Sequence, residues 1–167
     1  MQHRGRNAAI AAALAATLLG IAAGTTFAAD RKAKDPLRER GRYLVMIGGC
    51  NDCHTPGYAP SGGKVDEKQW LVGDSLGWRG PWGTTYPVNL RLFMQTLTEK
   101  EWVAEARHLQ TRPPMPWFAL NVMTDGDLRA IYRYVRSLGP AGQPAPEYVP
   151  PDREPKPPYI TFPAPPK

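Results

Sequence analysis

Both cysteines of this 167-residue chain stand within five residues, Cys50-Asn51-Asp52-Cys53-His54. That cluster constrains the chain more than any other feature, because a thiol pair beside an imidazole serves few purposes. A zinc site asks for four ligands, and no second CxxC or HxxxH pair lies nearby. A thioredoxin-type dithiol sits at the strand-to-helix turn of a βαβ unit, a pattern missing here. A disulfide is permitted in an exported protein, yet a bridge across two intervening residues removes little chain entropy. Covalent attachment of a c-type haem employs all three residues. One helical turn presents both sulfurs to the same edge of the macrocycle, and the adjacent imidazole falls beneath the ring, where it can bind iron. Cys50, Cys53 and His54 are therefore read as the attachment residues of one haem c, with a dithiol or a disulfide as the remaining readings.

An oxidising compartment would suit that chemistry. Arg4 and Arg6 precede an uncharged run, Ala8–Ala23, and small residues then lead to Ala28 and Ala29. This is the order of a signal peptide, taken as residues 1–28, and it predicts a periplasmic protein. The run is mostly alanine and shorter than the roughly 20 residues that span a bilayer, so an uncleaved anchor is the weaker alternative. Without the signal, 21 basic residues fall to 19 against 15 acidic, a net +4 with the charges interspersed. Nucleic-acid binding is unsupported by such a pattern.

The remainder divides into a haem domain, residues 29–140, and a tail, residues 141–167. Eleven of the 19 prolines lie in 139–167, and a polyproline-like segment without periodicity cannot form its own core. Tyr148, Tyr159 and Phe162 leave open whether it straps onto the domain or hangs free. Within the domain, DPLRERGRYLVMIGG (35–49) predicts a helix capped by Asp35, with Pro36 in its first turn and Gly48-Gly49 at its end. Gly41 on its apolar face is either a point of close backbone approach or a tolerated glycine. Thr98 and Glu101 form a capping box for a helix to about His108. Thr124 opens another to about Leu138, with Leu128, Ile131, Tyr134, Val135 and Leu138 on one face. Residues 55–97 are apolar yet irregular, and no strand is predicted. Trp70, Trp78, Trp82 and Tyr86 can line a flat apolar group there, and ordinary packing is the alternative for each.

The sixth ligand to the iron would separate electron transfer from small-molecule chemistry. Met115, in TRPPMPWF, stands between prolines that restrict the chain and could hold a thioether in place. Met123, His108 and Met94 remain alternatives. Met46, four residues before Cys50, points away from the far face.

The segments RGRYLVMIGGCNDCHTPG, GPWGTTYPVNL and RPPMPWFALNVMTDGDLRAIYRYVRSLGP together resemble exported class I c-type cytochromes. They are similar to modules in the cytochrome subunits of bacterial alcohol and gluconate dehydrogenases. The resemblance covers about residues 37–140. It implies an all-α fold, the class I cytochrome c fold, whose first and last helices cross around one covalent haem and bring Gly41 to the Tyr134 region. It implies Cys50 and Cys53 as haem attachment residues, His54 and Met115 as axial ligands, and Arg79, Trp82, Tyr86 and Asn89 as haem neighbours. After Asn89-Leu90 the chain reads RLFMQTLT, where the related modules carry an acidic T-P-D stretch and a glycine turn.

The expected function is that of a periplasmic monohaem cytochrome c shuttling single electrons, not an enzyme. Redox proteins would be its partners: a periplasmic or membrane dehydrogenase, and an oxidase or other cytochrome. The alternatives are an obligate electron-transfer subunit of a dehydrogenase, or a haem enzyme or gas sensor with a labile sixth ligand.

Overall fold

Helix α1 (Pro36–Ile47) begins where capping chemistry puts it: Asp35 Oδ1 accepts from the Leu37 amide at 3.0 Å, and Pro36 fills the first turn. The computed structural model describes residues 35–163, so the signal-peptide reading of residues 1–28 lies outside the described residues. A short helix, α2 (Cys50–His54), follows α1 almost directly. Helix α4 (Glu99–His108) comes later in the chain and carries the complete capping box between Thr98 and Glu101. Thr124 caps α6 (Asp125–Ser137) through the Asp127 amide. Two short helices were not expected: α3 (Leu90–Phe93), capped by Asn89, and α5 (Trp117–Asn121). Four or five residues are too few to display a helical period.

The core forms where α1 crosses α6. Leu44 and Val45 bury against Leu128, Ala130, Ile131, Tyr134 and Val135. Each large apolar side chain removed from water there contributes about 1.5–3 kcal/mol. The crossing requires Gly41. A Cβ at that position would lie 2.0 Å from the Ala130 carbonyl oxygen and 2.7 Å from Tyr134 Cβ. Gly41 is thus a point of close backbone approach, opposite Tyr134 as the resemblance implied. Polar ties reinforce the crossing. Tyr134 donates its hydroxyl to Glu67 at 2.9 Å, and Glu67 also accepts from Arg42 Nε of α1 at 2.9 Å. Trp102 of α4 is buried and donates Nε1–H to the Leu128 carbonyl at 2.8 Å.

The all-α expectation needs correction. Strand β1 (Gly77–Gly80) pairs antiparallel with β2 (Gly83–Thr85) and parallel with β3 (Tyr159–Thr161), in the order β2-β1-β3. The strands escaped detection because they are only three or four residues long, too short to display an alternation, and β1 and β2 carry glycines at their ends. The partner of β1 also comes from the proline-rich end of the chain, a composition that argues against strand.

That pairing decides between the two possibilities for the tail. Residues 141–163 lie along the body as a strap. Ala141 and Gln143 meet Asn89, Val149 exchanges two backbone hydrogen bonds with Thr84, and Phe162 donates its amide to the Arg79 carbonyl. The strap passes so close to β2 that Gly83, at φ +97°, has no room for a side chain: a Cβ would lie 2.5 Å from the Val149 carbonyl oxygen.

Candidate haem site

The cysteine cluster is fastened to the body through its second residue, Asn51. Asn51 is fully buried, and its Oδ1 accepts from Thr55 Oγ1 at 2.7 Å; that same hydroxyl oxygen accepts from the Leu71 amide at 2.8 Å. Cys50, Cys53 and His54 thus share one anchored helical turn, with both thiols free. His54 is buried at 8% exposure, and its Nδ1 lies 2.8 Å from the Val88 carbonyl oxygen. A carbonyl only accepts, so Nδ1 carries the proton and Nε2 keeps its lone pair. Burial also holds the ring below its ordinary pKa, partly offset by the Val88 hydrogen bond, so the neutral form is favoured. A neutral imidazole with one nitrogen fixed by a backbone acceptor is the ligating form of histidine.

The thiols lack the depressed pKa of a redox dithiol. Burial pushes Cys50 up to about 11 and raises Cys53 as well. Redox dithiols have depressed values instead, because the thiolate is their nucleophile. Among the described residues no group of three His, Cys, Asp or Glu side chains converges as a metal cage.

The hairpin of β1 and β2 supplies a second test of fit. Trp78 Nε1, Trp82 Nε1 and Thr84 Oγ1 are shielded from water and have no hydrogen-bond partner, and the same holds for Asn51 Nδ2 on α2. Buried donors left unpaired cost about 1–3 kcal/mol each. Both indole rings pack against Phe162 of the strap, and the propionates of a haem are acceptors of the kind these unpaired donors lack. The residues present fit the group.

Met115 is half-buried against the core cluster. Its loop is tied to β2, where Thr85 donates to the Pro113 carbonyl at 2.8 Å, and to the strap, where Arg112 lies 3.8 Å above the Tyr148 ring. Of the alternatives, Met94 is fully buried in the core, Met123 packs against it, and His108 is exposed at the end of α4. Met46 is exposed and its sulfur accepts from Arg42 at 3.3 Å.

The aromatic candidates separate. Trp70 is a core residue, donating to the Val65 carbonyl at 2.9 Å with Tyr58 edge-on to its ring. Trp78 and Trp82 carry the unpaired donors, and Tyr86 is half-buried beyond β2. Arg79 and Asn89, expected near the haem, are engaged by the strap: Arg79 bonds Glu154 and the Arg153 carbonyl, and Asn89 bonds two strap carbonyls. Sequence reasoning missed Val88, which acts only through its backbone, and Thr84, whose hydroxyl carries no motif. It also missed Arg91, although the break from the related modules after Leu90 marked that stretch.

The comparisons with known proteins support a cytochrome-like module, with which a cysteine turn beside a neutral histidine is compatible. No family model matches the chain, and no solved structure matches it. Among curated proteins it is similar to the fructose dehydrogenase cytochrome subunit of Gluconobacter japonicus, at 28% identity over 152 residues, covering 81% of this chain and 29% of that one. It is also similar to a nicotinate dehydrogenase subunit of Pseudomonas putida, at 30% identity over 120 residues, covering 65% of this chain and 9% of that one. The chain therefore spans a minor part of either relative. No helix among the described residues is long and apolar enough to cross a membrane.

Proposed function

We propose that this chain is a monohaem cytochrome c module that passes single electrons as the electron-transfer subunit of a dehydrogenase assembly. One observation carries the reading: the Val88 carbonyl fixes neutral His54 with Nε2 free, on the same turn as Cys50 and Cys53. Both relatives are named as dehydrogenase subunits, one of them as a cytochrome subunit, and this supports the subunit role over a freely diffusing carrier. A dehydrogenase would be the donor, and an oxidase or another cytochrome the acceptor. The close packing of α1 on α6 at Gly41 supports the class I cytochrome c fold for residues 29–140, and the charged, then apolar, order of residues 1–28 supports their reading as an export signal to the periplasm.

Bound there, a haem c supplies a one-electron Fe(III)/Fe(II) couple. Cys50 and Cys53 would hold it by thioethers, His54 and Met115 would supply nitrogen and sulfur donors to its iron, and methionine ligation would raise its potential. The chain's residues otherwise exclude water and provide donors at Trp78, Trp82 and Thr84. No acid or base is required of them, since no proton need move.

The test is an optical spectrum of protein matured in a host that attaches c-type haem, oxidised and reduced, with and without carbon monoxide. The expected result is a low-spin reduced spectrum unmoved by carbon monoxide, with a weak thioether-to-ferric band lost in Met115→Ala. A high-spin ferric form or carbon monoxide binding would make the site that of a haem enzyme or gas sensor. Absence of covalent haem would sink the proposal.

A further inference from the structure

The strap reaches the segment whose backbone holds His54 and the loop that bears Met115, the two candidate iron ligands. On one side, Asn89 is buried and donates Nδ2–H to the Ala141 carbonyl at 2.8 Å and to the Gln143 carbonyl at 3.1 Å. Asn89 directly follows Val88, whose carbonyl holds His54, and its Oδ1 caps α3 by accepting from the Leu92 amide. Two residues on, buried Arg91 donates to the Gly139 carbonyl at 2.6 Å, to the Leu138 carbonyl, and to the Lys68 carbonyl at 2.7 Å. The backbone beside His54 is thereby bolted to the point where the strap leaves α6.

On the other side, Tyr148 stacks under Arg112, three residues before Met115, and donates its hydroxyl to the Trp82 carbonyl at 2.8 Å. The neighbouring Thr84–Val149 backbone pair, at 2.7 and 3.0 Å, clamps the strap to β2, which in turn holds Pro113 through Thr85. Between these anchors an open cleft of about 290 Å³ lies between Pro144–Pro146 and the Val88–Phe93 segment. The strap is held at discrete points instead of being packed along its whole length.

We propose that the strap, residues 141–163, is a positioning element for both axial ligands. Its Ala141 and Gln143 carbonyls hold Asn89, which keeps the Val88 carbonyl on His54, and its Tyr148 keeps the Met115 loop in place, while Arg91 separately ties the same segment to the end of α6. This rests on the haem reading above. Groups that orient a ligand from behind tune its basicity and the stability of its bond to the metal. Release of the strap frees the Met115 loop at Arg112, and a thioether, as a weak donor, gives way to an external ligand.

The experiment compares full-length wild type with Tyr148→Leu, Tyr148→Phe and Asn89→Ser, and with a chain ended after residue 140, all matured with haem. Covalent haem, the thioether-to-ferric band, carbon monoxide binding and midpoint potential are recorded for each. Wild type and Tyr148→Phe are expected to keep the band and resist carbon monoxide, because a phenyl ring still stacks under Arg112. Tyr148→Leu and the shortened chain are expected to keep covalent haem, lose most of the band and bind carbon monoxide. Asn89→Ser retains the cap acceptor but not the amide donors. Its potential is expected to rise, since a loosened hydrogen bond at Nδ1 makes His54 a less basic ligand.

Haem-loaded Tyr148→Leu that resists carbon monoxide, with Asn89→Ser at the wild-type potential, would overturn the proposal. Should the shortened chain not fold, Tyr148→Leu with its phenylalanine control decides. Wild type with covalent haem that already binds carbon monoxide overturns the strap's role at Met115 alone. Wild type without covalent haem overturns both the proposal and the reading beneath it.

Discussion

At Gly41 the absence of a side chain allows the α1 and α6 backbones to meet, since a methyl group would sit 2.0 Å from the Ala130 carbonyl oxygen. Backbone cannot swing aside as a side chain can, so the helices must part. Overpacking of this kind costs about 1–3 kcal/mol and occasionally more. Gly41→Ala is expected to lower the unfolding free energy by about 3 kcal/mol in denaturant titrations, although alanine favours a helix by about 1 kcal/mol. Trp78 poses a different question at the same scale. Its indole N–H is buried and unpaired among protein atoms. If a haem carboxylate accepts from it, Trp78→Phe should cost the loaded protein about 1–3 kcal/mol and move its thermal midpoint down. An unchanged midpoint would mean that nothing accepts from that nitrogen. Neither role was open to inspection of a single residue type: Gly41 left two readings, and Trp78 looked like any packing aromatic until its nitrogen was found without a partner.

At the scale of elements, helix ends were legible and short elements were not. Asp35 with Pro36, Thr98 with Glu101, and Thr124 each satisfy amides within three residues, so the start of α1, α4 and α6 is written locally. No comparable signal announces α3, α5 or the three strands. The two long helices are also joined by charge, since Arg40 of α1 bonds Asp127 of α6 at 2.9 Å. That hydrogen bond, then the one from Thr124, holds the Asp127 carboxyl below its ordinary pKa. A depressed folded pKa contributes stability above the unfolded value, about pH 4, and loses it as pH falls through the folded value. Asp127→Asn should therefore flatten that part of the acid limb when urea midpoints are followed from about pH 5 to about pH 2. The effect will be modest, because the pair is exposed to solvent.

For the whole molecule, the excess of positive charge without residues 1–28, 19 basic against 15 acidic, is mild and spread along the chain. In the proposed subunit role it suits brief encounter with an acidic electron acceptor better than tight electrostatic capture. Stopped-flow electron transfer to such a partner should slow as salt is raised from about 0.01 to about 0.15 M, where the Debye length falls to about 8 Å. A rate that does not change with salt would remove charge from the account of docking. The strap is the other whole-molecule feature. It lengthens the hairpin into a sheet and ties residues 77–91 to residues 139–162, so the proline-rich end belongs to the body that surrounds the candidate site.

Cys50, Cys53 and His54, the three capped helices, and the apolar face of α6 follow from the sequence by itself. All of them rest on interactions between residues a few positions apart, where residue type and spacing carry the information. The tertiary structure alone decided that Val88 holds His54, that Asn89 turns to the strap and Arg91 to the end of α6, and that β1 finds its parallel partner at Tyr159–Thr161. Those are contacts across long stretches of chain, made largely by backbone carbonyls and amides. Every residue has such groups, so no residue type marks the ones to be joined. Burial chooses among them, because a backbone group taken from water must find a partner wherever the fold brings one.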